Sequence, residues 1–322
     1  MGSLVRNLAV AAALSMAAAS TIAQSWPARP IRWIVPYPPG GATEIHARLI
    51  ADPLSKALGQ PVVIDIRPGA SGLVGSGIGA KSAPDGYTLV AGTSAIHAIN
   101  IAMLKVRPYD PVTDFKAIIV VSTHPNAVAV HPSLNVKTFK ELLDYFKANP
   151  GTPYASAGPS SSGHLTGELL KLIAKVDITH IPYKGGGQAT IDLIAGFVKV
   201  GFIDSSAALP FQKSGQIRVI AYSGLSRSAA QPDMPTVSET LPGFDVSPWQ
   251  VLFAPAGTPD AIVRRLNNEI AKILRLPQVK PRLDEMLSDQ PEKNSPADAA
   301  AFVQRELVKW QEVVAKAAIE VQ

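Results

Sequence analysis

The chain contains no cysteine among its 322 residues, and this absence removes several kinds of chemistry. Without cysteine there is no disulfide framework, no thiol nucleophile, no cysteine-ligated metal and no lipid anchor on an N-terminal cysteine. Exported proteins often use disulfides, but a chain of this length can bury a core large enough to fold without them. The absence is therefore compatible with export.

Charge is also sparse and evenly spread. Charged residues make up 17% of the chain, and no run of Lys and Arg is longer than the pair Arg264-Arg265. Proteins that bind nucleic acid concentrate positive charge on one face or arm. The formal net charge of +5 is diffuse here, so we expect no nucleic-acid partner and a mild preference for anionic ligands.

A single long apolar run lies at the N-terminus. Arg6 precedes the run at residues 8–19, and the small residues that follow end at Ala23. This order predicts a signal peptide over residues 1–23. An uncleaved anchor is the alternative, although the run is shorter than the roughly 20 residues that span a bilayer. Cleavage near Ala23 would leave 322 − 23 = 299 residues, and we expect the mature protein in the periplasm.

The rest of the chain alternates short strand patterns with amphipathic helix patterns. The first examples are a strand at 31–35, a helix at 42–58 and a strand at 61–66. This order predicts α/β layers around mostly parallel sheets, and the length suits about two domains. Pro53 lies inside the first helix, so we expect a kink or a local break near Asp52.

Two extended segments, residues 120–130 and 244–253, are candidates for crossings between the domains. A double crossing of this kind makes a hinge over a cleft. We therefore predict one lobe from residues 24–123 plus 248–322 and a second lobe from residues 124–247.

The first candidate binding segment is Pro36–Thr43, which follows a strand and opens a helix. A helix start offers free N–H groups and a partial positive charge, and Gly40 and Gly41 let a ligand approach the backbone. The segment can therefore hold a carboxylate or phosphate. An ordinary strand–turn–helix connection is an equally good interpretation of the same residues.

Other candidate segments share this position between a strand and a helix. The hydroxyl-rich loop from Ser156 to His164 can bind an anion or cap its helix. Thr93 and Ser94 follow a buried strand, and Asp204 ends another, where ligands sit in open α/β sheets. Asp204 can accept a hydrogen bond from a ligand, or it can cap a helix. Lys184–Gln188 can cradle an anion, but the pattern slightly favours a turn.

Enzymatic interpretations find little support. No Gly-x-Ser-x-Gly elbow occurs, and the six histidines are scattered singly. Residues 75–80 match a dinucleotide fingerprint only weakly, because no acidic residue ends the next strand. We expect no cofactor and no metal. A serine hydrolase using Ser161 or another serine with His164 or His97 remains as an alternative, since triads form in space.

Several short motifs recur in order along the chain and together resemble a known family. They are Trp26–Ile31, Pro36–Thr43, Arg67–Ala70, Pro84–Leu89, Tyr154–Leu165, His180–Gly185, Pro232–Val237 and Phe253–Pro259. The sequence resembles the substrate-binding proteins of tripartite tricarboxylate transporters, the Bug family of periplasmic receptors. It departs from the family where Glu44 replaces a frequent Asp, and where Asp65-Ile66 replaces a frequent Glu-Asn.

The resemblance implies a two-lobed α/β fold of the type II periplasmic-binding-protein kind, with two mixed sheets flanked by helices, a hinge and a central cleft. It implies a monomeric receptor, not an enzyme, that binds a small mono- or dicarboxylate and partners membrane transporter subunits. A sensor that presents its ligand to a membrane kinase is the alternative. The predicted ligand-binding residues are Tyr37, Gly40, Gly41, Ala42, Thr43, Thr93, Ser94, Ser156, Gly158, Ser161, His164 and Asp204.

Overall fold

Two five-stranded sheets organise the protein, and the computed structural model describes residues 26–316. The predicted signal peptide at 1–23 lies outside the described residues. The strands are β1 (Ile31–Val35), β2 (Val62–Ile66), β3 (Thr88–Thr93), β4 (Phe115–Thr123), β5 (Asn126–Val130), β6 (Thr152–Ser156), β7 (Ile178–Pro182), β8 (Val200–Asp204), β9 (Arg218–Tyr222) and β10 (Trp249–Pro255).

Helices cover both sheets. The α-helices are α1 (Ala42–Leu58), α2 (Leu73–Ala80), α3 (Asn100–Met103), α4 (Phe139–Ala148), α5 (Ser162–Ala174), α6 (Gly186–Ile194), α7 (Ser205–Lys213), α8 (Asp260–Ile273), α9 (Lys280–Glu285) and α10 (Pro296–Lys316). Within residues 26–316, no helix combines the length and apolarity that a bilayer crossing requires.

The two sheets share one pattern. The first has the order β2-β1-β3-β10-β4 and the second the order β7-β6-β8-β5-β9. In each sheet the first three strands in the order pair in parallel, and the fourth pairs antiparallel with both of its neighbours, so that it alone runs against the other four. Both sheets are therefore mixed, which confirms the predicted α/β class with two mixed sheets. We call the layers built on them the first and second lobes.

The chain crosses between the sheets at two places. His124 and Pro125 separate β4 of the first sheet from β5 of the second, and Pro248 directly precedes β10 on the return. The crossings touch, because the His124 N–H donates to the Pro248 carbonyl at 2.9 Å. The division between lobes at 123/124 and 247/248 stays a prediction, although the strands of each sheet lie on the expected side of it.

Helix α1 runs without interruption through Pro53, so the expected local break does not form. Proline removes one backbone donor, but Ile50, Ala51 and Leu54 around it are buried against the first sheet. Apolar burial on both sides of the missing bond keeps the helix in one piece. Gly59 ends the helix in the left-handed conformation at φ 70°, which glycine adopts most easily.

The carboxyl ends of the parallel strands place the candidate segments. β1 ends one residue before Pro36, β3 ends at Thr93, β6 ends at Ser156 and β8 ends at Asp204. Thr93 was expected to follow this strand, but it is the last residue of β3 itself. The strand ends of both lobes therefore carry the residues that the sequence nominated.

Candidate functional site

Helix α1 begins without a side-chain cap. Gly41 has extended backbone angles, and its carbonyl accepts the N–H groups of Glu44 and Ile45 at 3.0 and 3.1 Å. The N–H groups of Gly41, Ala42 and Thr43 have no acceptor among the described residues. Free donors and the positive end of a 17-residue helix together attract an anion.

Glu44 holds the loop in front of α1. Its carboxylate accepts the Gly40 N–H at 2.6 Å and Arg48 Nε at 2.7 Å. The hydrogen bond from Gly40, followed by that from Arg48, lowers the pKa of Glu44. The glutamate therefore stays ionised, and it takes the Gly40 donor away from any ligand.

Helix α6 of the second lobe also begins without a side-chain cap. Gly185 precedes it at φ 150°, a conformation that favours glycine. The first two helical residues, Gly186 and Gly187, expose their backbone because they lack side chains. Their N–H groups have no acceptor within residues 26–316, so this helix start has the same chemistry as that of α1.

One open cleft of about 970 Å³ joins these two helix starts. Its remaining wall comes from the start of α7 and from α9. The cleft is lined by Gly40, Gly41, Ala42, Ile45, Arg48, Leu49, Gly186, Gly187, Asp204, Ser206, Ala207, Arg282, Glu285 and Met286. Four of the predicted site residues thus meet in one cavity: Gly40, Gly41, Ala42 and Asp204.

Asp204 lies at the end of β8 and caps α7. One carboxylate oxygen accepts the N–H groups of Ser206 and Ala207 at 2.9 and 3.3 Å. The other lies 3.4 Å from Nε2 of His124 at the crossing between the sheets. Burial alone would raise the pKa of Asp204, but His124 and the capping donors together hold that pKa well below its usual range. Its negative charge occupies the start of α7.

The serine-rich loop uses its hydroxyls internally. Ser161 caps α5 by accepting the His164 N–H at 3.2 Å and donates to the Gly158 carbonyl at 2.7 Å. The fully buried Ser156 hydroxyl lies 2.6 Å from His180 Nε2. The rings of His164 and His180 stack with centroids 4.2 Å apart. These four predicted residues, Ser156, Gly158, Ser161 and His164, line none of the 970 Å³ cleft.

The same loop nevertheless reaches the first lobe. Ser160 adopts the left-handed conformation at φ 59°, and its hydroxyl lies 3.5 Å from Sδ of Met103 at the end of α3. The loop therefore contacts the first lobe.

Tyr37, Thr93 and Ser94 form a group behind the first loop, in which Tyr37 is partly buried. None of the three lines the 970 Å³ cleft. The Tyr37 and Thr93 hydroxyls lie 2.8 Å apart. Burial raises the pKa of Tyr37 to about 12, so the phenol stays neutral. Thr93 and Ser94 are buried, and the group supports the loop that carries Gly40 and Gly41.

Thr43 and His46 lie beneath the first turn of α1. Both are buried, and they border an internal cavity of about 10 Å³. His46 Nδ1 lies 2.8 Å from the Ala42 carbonyl, and Nε2 lies 2.7 Å from the Ser288 hydroxyl. Burial lowers the pKa of His46 to about 4, so a neutral imidazole anchors the start of the helix.

Sequence reasoning missed two parts of this cleft. The pattern at Lys184–Gln188 slightly favours a turn over an anion cradle, although Gly185 as the cap and Gly186 and Gly187 as the first helical residues are a usable signal. The candidate segments Pro36–Thr43 and Ser156–His164 contain no Lys or Arg, but Arg48 and Arg282 lie on the cleft walls. Arg48 lies two turns along α1 from Gly41, whereas only the tertiary fold brings Arg282 to the cleft.

The histidines proposed for a hydrolase do not approach Ser161 as a base would. His97 is fully buried and stacks on Phe253 with centroids 4.4 Å apart. Neither of its ring nitrogens has a hydrogen-bond partner among the described residues. His164 contacts the Ser161 hydroxyl through its backbone N–H and not through its imidazole ring. This geometry therefore does not activate the hydroxyl.

Comparison with known proteins places the chain in a family. Residues 46–319 match the model of the tripartite tricarboxylate transporter family receptor, TctC. Protein BugT of Bordetella pertussis is 36% identical over 303 residues, covering 92% of each chain.

Solved structures agree. Rpa4515 of R. palustris with adipate superposes with a TM-score of 0.80 at 36% identity, covering 91% of this chain and 98% of that one. MatC from Rhodopseudomonas palustris with bound malate gives a TM-score of 0.76 at 32% identity, covering 90% of this chain and all of the other. Periplasmic binding protein BugD gives 0.77 at 30% identity, covering 92% of this chain and all of BugD. The fold is therefore that of a two-lobed periplasmic binding protein, and the chain belongs to the tripartite tricarboxylate transporter receptor family of solute-binding proteins.

Proposed function

We propose that this protein is an exported periplasmic receptor that binds a small mono- or dicarboxylate between its lobes. It then delivers the ligand to the membrane subunits of a tripartite tricarboxylate-type transporter, without a chemical step. The fit to a family of transporter receptors supports the partnership. The relatives with adipate and malate support a carboxylate as ligand.

One observation carries the proposal: two uncapped, glycine-bounded helix starts border the same cleft. Gly41 precedes α1 in the first lobe, and Gly186 begins α6 in the second. Each start provides unused N–H donors and the positive end of a helix dipole. An anion between them is held by both lobes.

The crossings provide the means to close. His124 and Pro248 join two short connections between the sheets, and such a pair acts as a hinge when the lobes rotate. A ligand that contacts both helix starts stabilises the closed arrangement. The membrane partner then recognises the closed, ligand-bound conformation.

Thermal unfolding with a panel of organic acids tests the binding. A ligand that binds only the folded protein raises the melting temperature by mass action. At least one mono- or dicarboxylate should raise it in a concentration-dependent way. Flat curves across aliphatic and aromatic acids would contradict the proposal.

Gly41→Leu tests the location of the site. A Cβ at Gly41 has no neighbour closer than 4.0 Å, so the fold accepts it, while the leucine obstructs the helix start. We expect the variant to fold and to lose the ligand-induced stabilisation. Gly77→Leu on α2 is the matched control, because its Cβ meets nothing within 4 Å and it lies off the cleft. Equal ligand response in both variants would remove the loop from the site.

Uptake separates delivery to a transporter from presentation to a membrane kinase. Deletion of the gene should abolish uptake of the ligand that stabilises the protein. Unchanged uptake with a lost transcriptional response would favour the sensor.

A further inference from the structure

Helix α9 ends with a leucine at a position where glycine is usual. The Leu287 N–H donates to the Asp284 carbonyl at 3.0 Å, and the Ser288 N–H donates to the Leu283 carbonyl at 2.9 Å. In this common helix ending, the residue at the position of Leu287 is left-handed, and glycine is favoured there. Leu287 adopts φ 51°, which is uncommon for a bulky residue and raises the energy of the backbone. Another interaction of this leucine must offset that cost.

The Leu287 side chain is buried in the core of the second lobe. It is 1% exposed and packs in one apolar cluster with Leu193 of α6, Leu209 of α7 and Tyr222 of β9. Every other buried member of this cluster, among the described residues, lies between residues 127 and 222. Burial of the side chain stabilises the protein and offsets the left-handed backbone. Leu287 is therefore supplied to the core of the second lobe by a distant part of the chain.

The backbone next to Leu287 is held by the first lobe. The Ser288 hydroxyl lies 2.7 Å from Nε2 of His46, beneath the start of α1. Asp289 pairs with Thr123, the last residue of β4, through N–H to carbonyl hydrogen bonds of 2.8 and 2.9 Å in the two directions. The segment is therefore fixed to the first lobe, while one of its side chains is inserted in the second.

The same segment borders the ligand cleft. Met286 lines the cleft, as do residues 206–207 at the start of α7. The next residues of α7, Ala208 and Leu209, are buried in the cluster that contains Leu287. A rotation of the second lobe that moves the α7 wall of the cleft therefore also moves α7 relative to Leu287.

We infer that residues 286–289 form a latch between the lobes, in which Leu287 engages the core of the second lobe and holds the two lobes together in the ligand-free protein. Opening of the cleft withdraws Leu287 from that core, and closure inserts it again. The latch is a third connection besides the two chain crossings. It is noncovalent, so it can break, and it does not depend on which ligand the cleft binds.

The distance between two spin labels in the ligand-free protein tests the latch. Because the chain has no cysteine, Val63→Cys on β2 and Phe197→Cys after α6 place one label on each lobe, and both positions are exposed. Pulsed electron paramagnetic resonance then gives the distribution of distances between the lobes. We expect one dominant distance in the parent protein. In Leu287→Gly we expect a second population at a different distance, with the closed-to-open ratio lowered about tenfold or more.

Two substitutions at the same position separate the latch from the backbone. Leu287→Gly and Leu287→Ala both remove the side chain that engages the second lobe, so both should give the second population. Glycine accepts the left-handed conformation and alanine does not, so the glycine variant should resist urea better than the alanine variant. Leu266→Ala in α8 is the matched control, because this fully buried leucine packs within the first lobe. It should lower the resistance to urea and leave the distance distribution of the parent unchanged.

Three results would overturn the latch. The first is an unchanged distance distribution in both Leu287 variants, because a side chain that only fills a core lowers stability without releasing the lobes. The second is a parent distribution as broad as that of the variants. The third is the same shift in Leu266→Ala, which would show a general loosening of the protein.

Discussion

At the scale of single residues, side chains that were predicted to bind a ligand also stabilise the local structure. Asp204 borders the cleft, yet its carboxylate accepts two N–H groups at the start of α7 and contacts His124. Ser161 lies in the serine-rich loop and caps α5. The sequence predicted both alternatives, because Asp and Ser are favoured both at caps and in binding loops.

Asp204→Ala should lower the free energy of unfolding by about 1 kcal/mol, the usual effect of losing a cap. Asp204→Asn should change it less, because asparagine caps a helix as well as aspartate does. Urea denaturation of the three proteins provides the measurement. If alanine and asparagine destabilise the protein equally, the contact of Asp204 with His124 contributes more to the free energy of unfolding than the helix cap does.

At the scale of elements, the helix starts fall into two kinds. Helices α5 and α7 are capped by Ser161 and Asp204, whereas α1 and α6 begin after glycines that carry no cap. A capped start has its donors satisfied by the protein itself. At this cleft, a ligand therefore gains more at the uncapped starts of α1 and α6 than at the capped start of α7.

This difference predicts opposite effects in a pair of variants. Gly187→Leu in α6 has room for its Cβ, and replacing a helical glycine raises stability by up to about 1 kcal/mol. The new side chain should nevertheless weaken ligand binding about tenfold or more, because Gly187 lines the cleft. Ser161→Ala should cost about 1 kcal/mol of stability and change ligand affinity less than twofold. Ligand titrations and urea unfolding of both variants check the pair, and a reversed pattern would place the site at the serine-rich loop.

Local patterns predicted most of these elements. The bounds of α1 at residues 42 and 58 follow from glycines on either side and a continuous buried face. Of the kink or local break expected near Asp52, the break does not form, because packing against the first sheet outweighs one missing hydrogen bond. The meeting of α1, α6 and α9 at one cleft was beyond the sequence, since Gly41, Gly186 and Arg282 are distant in the chain. Their proximity depends on how the two sheets are arranged.

At the scale of the whole molecule, the exchange of strands ties the lobes together. β5 follows β4 in sequence but joins the other sheet, and β10 returns to the first sheet next to β4. The bond between His124 and Pro248 joins the two crossings. The two chain crossings therefore couple the lobes at one place.

Buried histidines give the whole molecule a predicted dependence on pH. Burial lowers the pKa of His46 to about 4, of His97 to about 3 and of His180 to about 4. His97 is the extreme case, since aromatic rings surround it and no hydrogen-bond partner exists for it among the described residues. An unfolded chain takes up these protons near pH 6.5, whereas the folded protein does not.

The sign of the effect follows from proton linkage. Between about pH 6.5 and pH 4 the unfolded state binds more protons, so the free energy of unfolding falls as the pH falls. Each such histidine contributes up to about 1.4 kcal/mol per pH unit. Urea unfolding at pH 7.5, 6, 5 and 4.5 should show this decline, and a constant free energy would contradict it. His97→Phe should reduce the slope of the free energy of unfolding against pH by the contribution of about one proton, because phenylalanine does not titrate in either state. This reduction is expected whether or not the substitution changes the free energy of unfolding at pH 7.5.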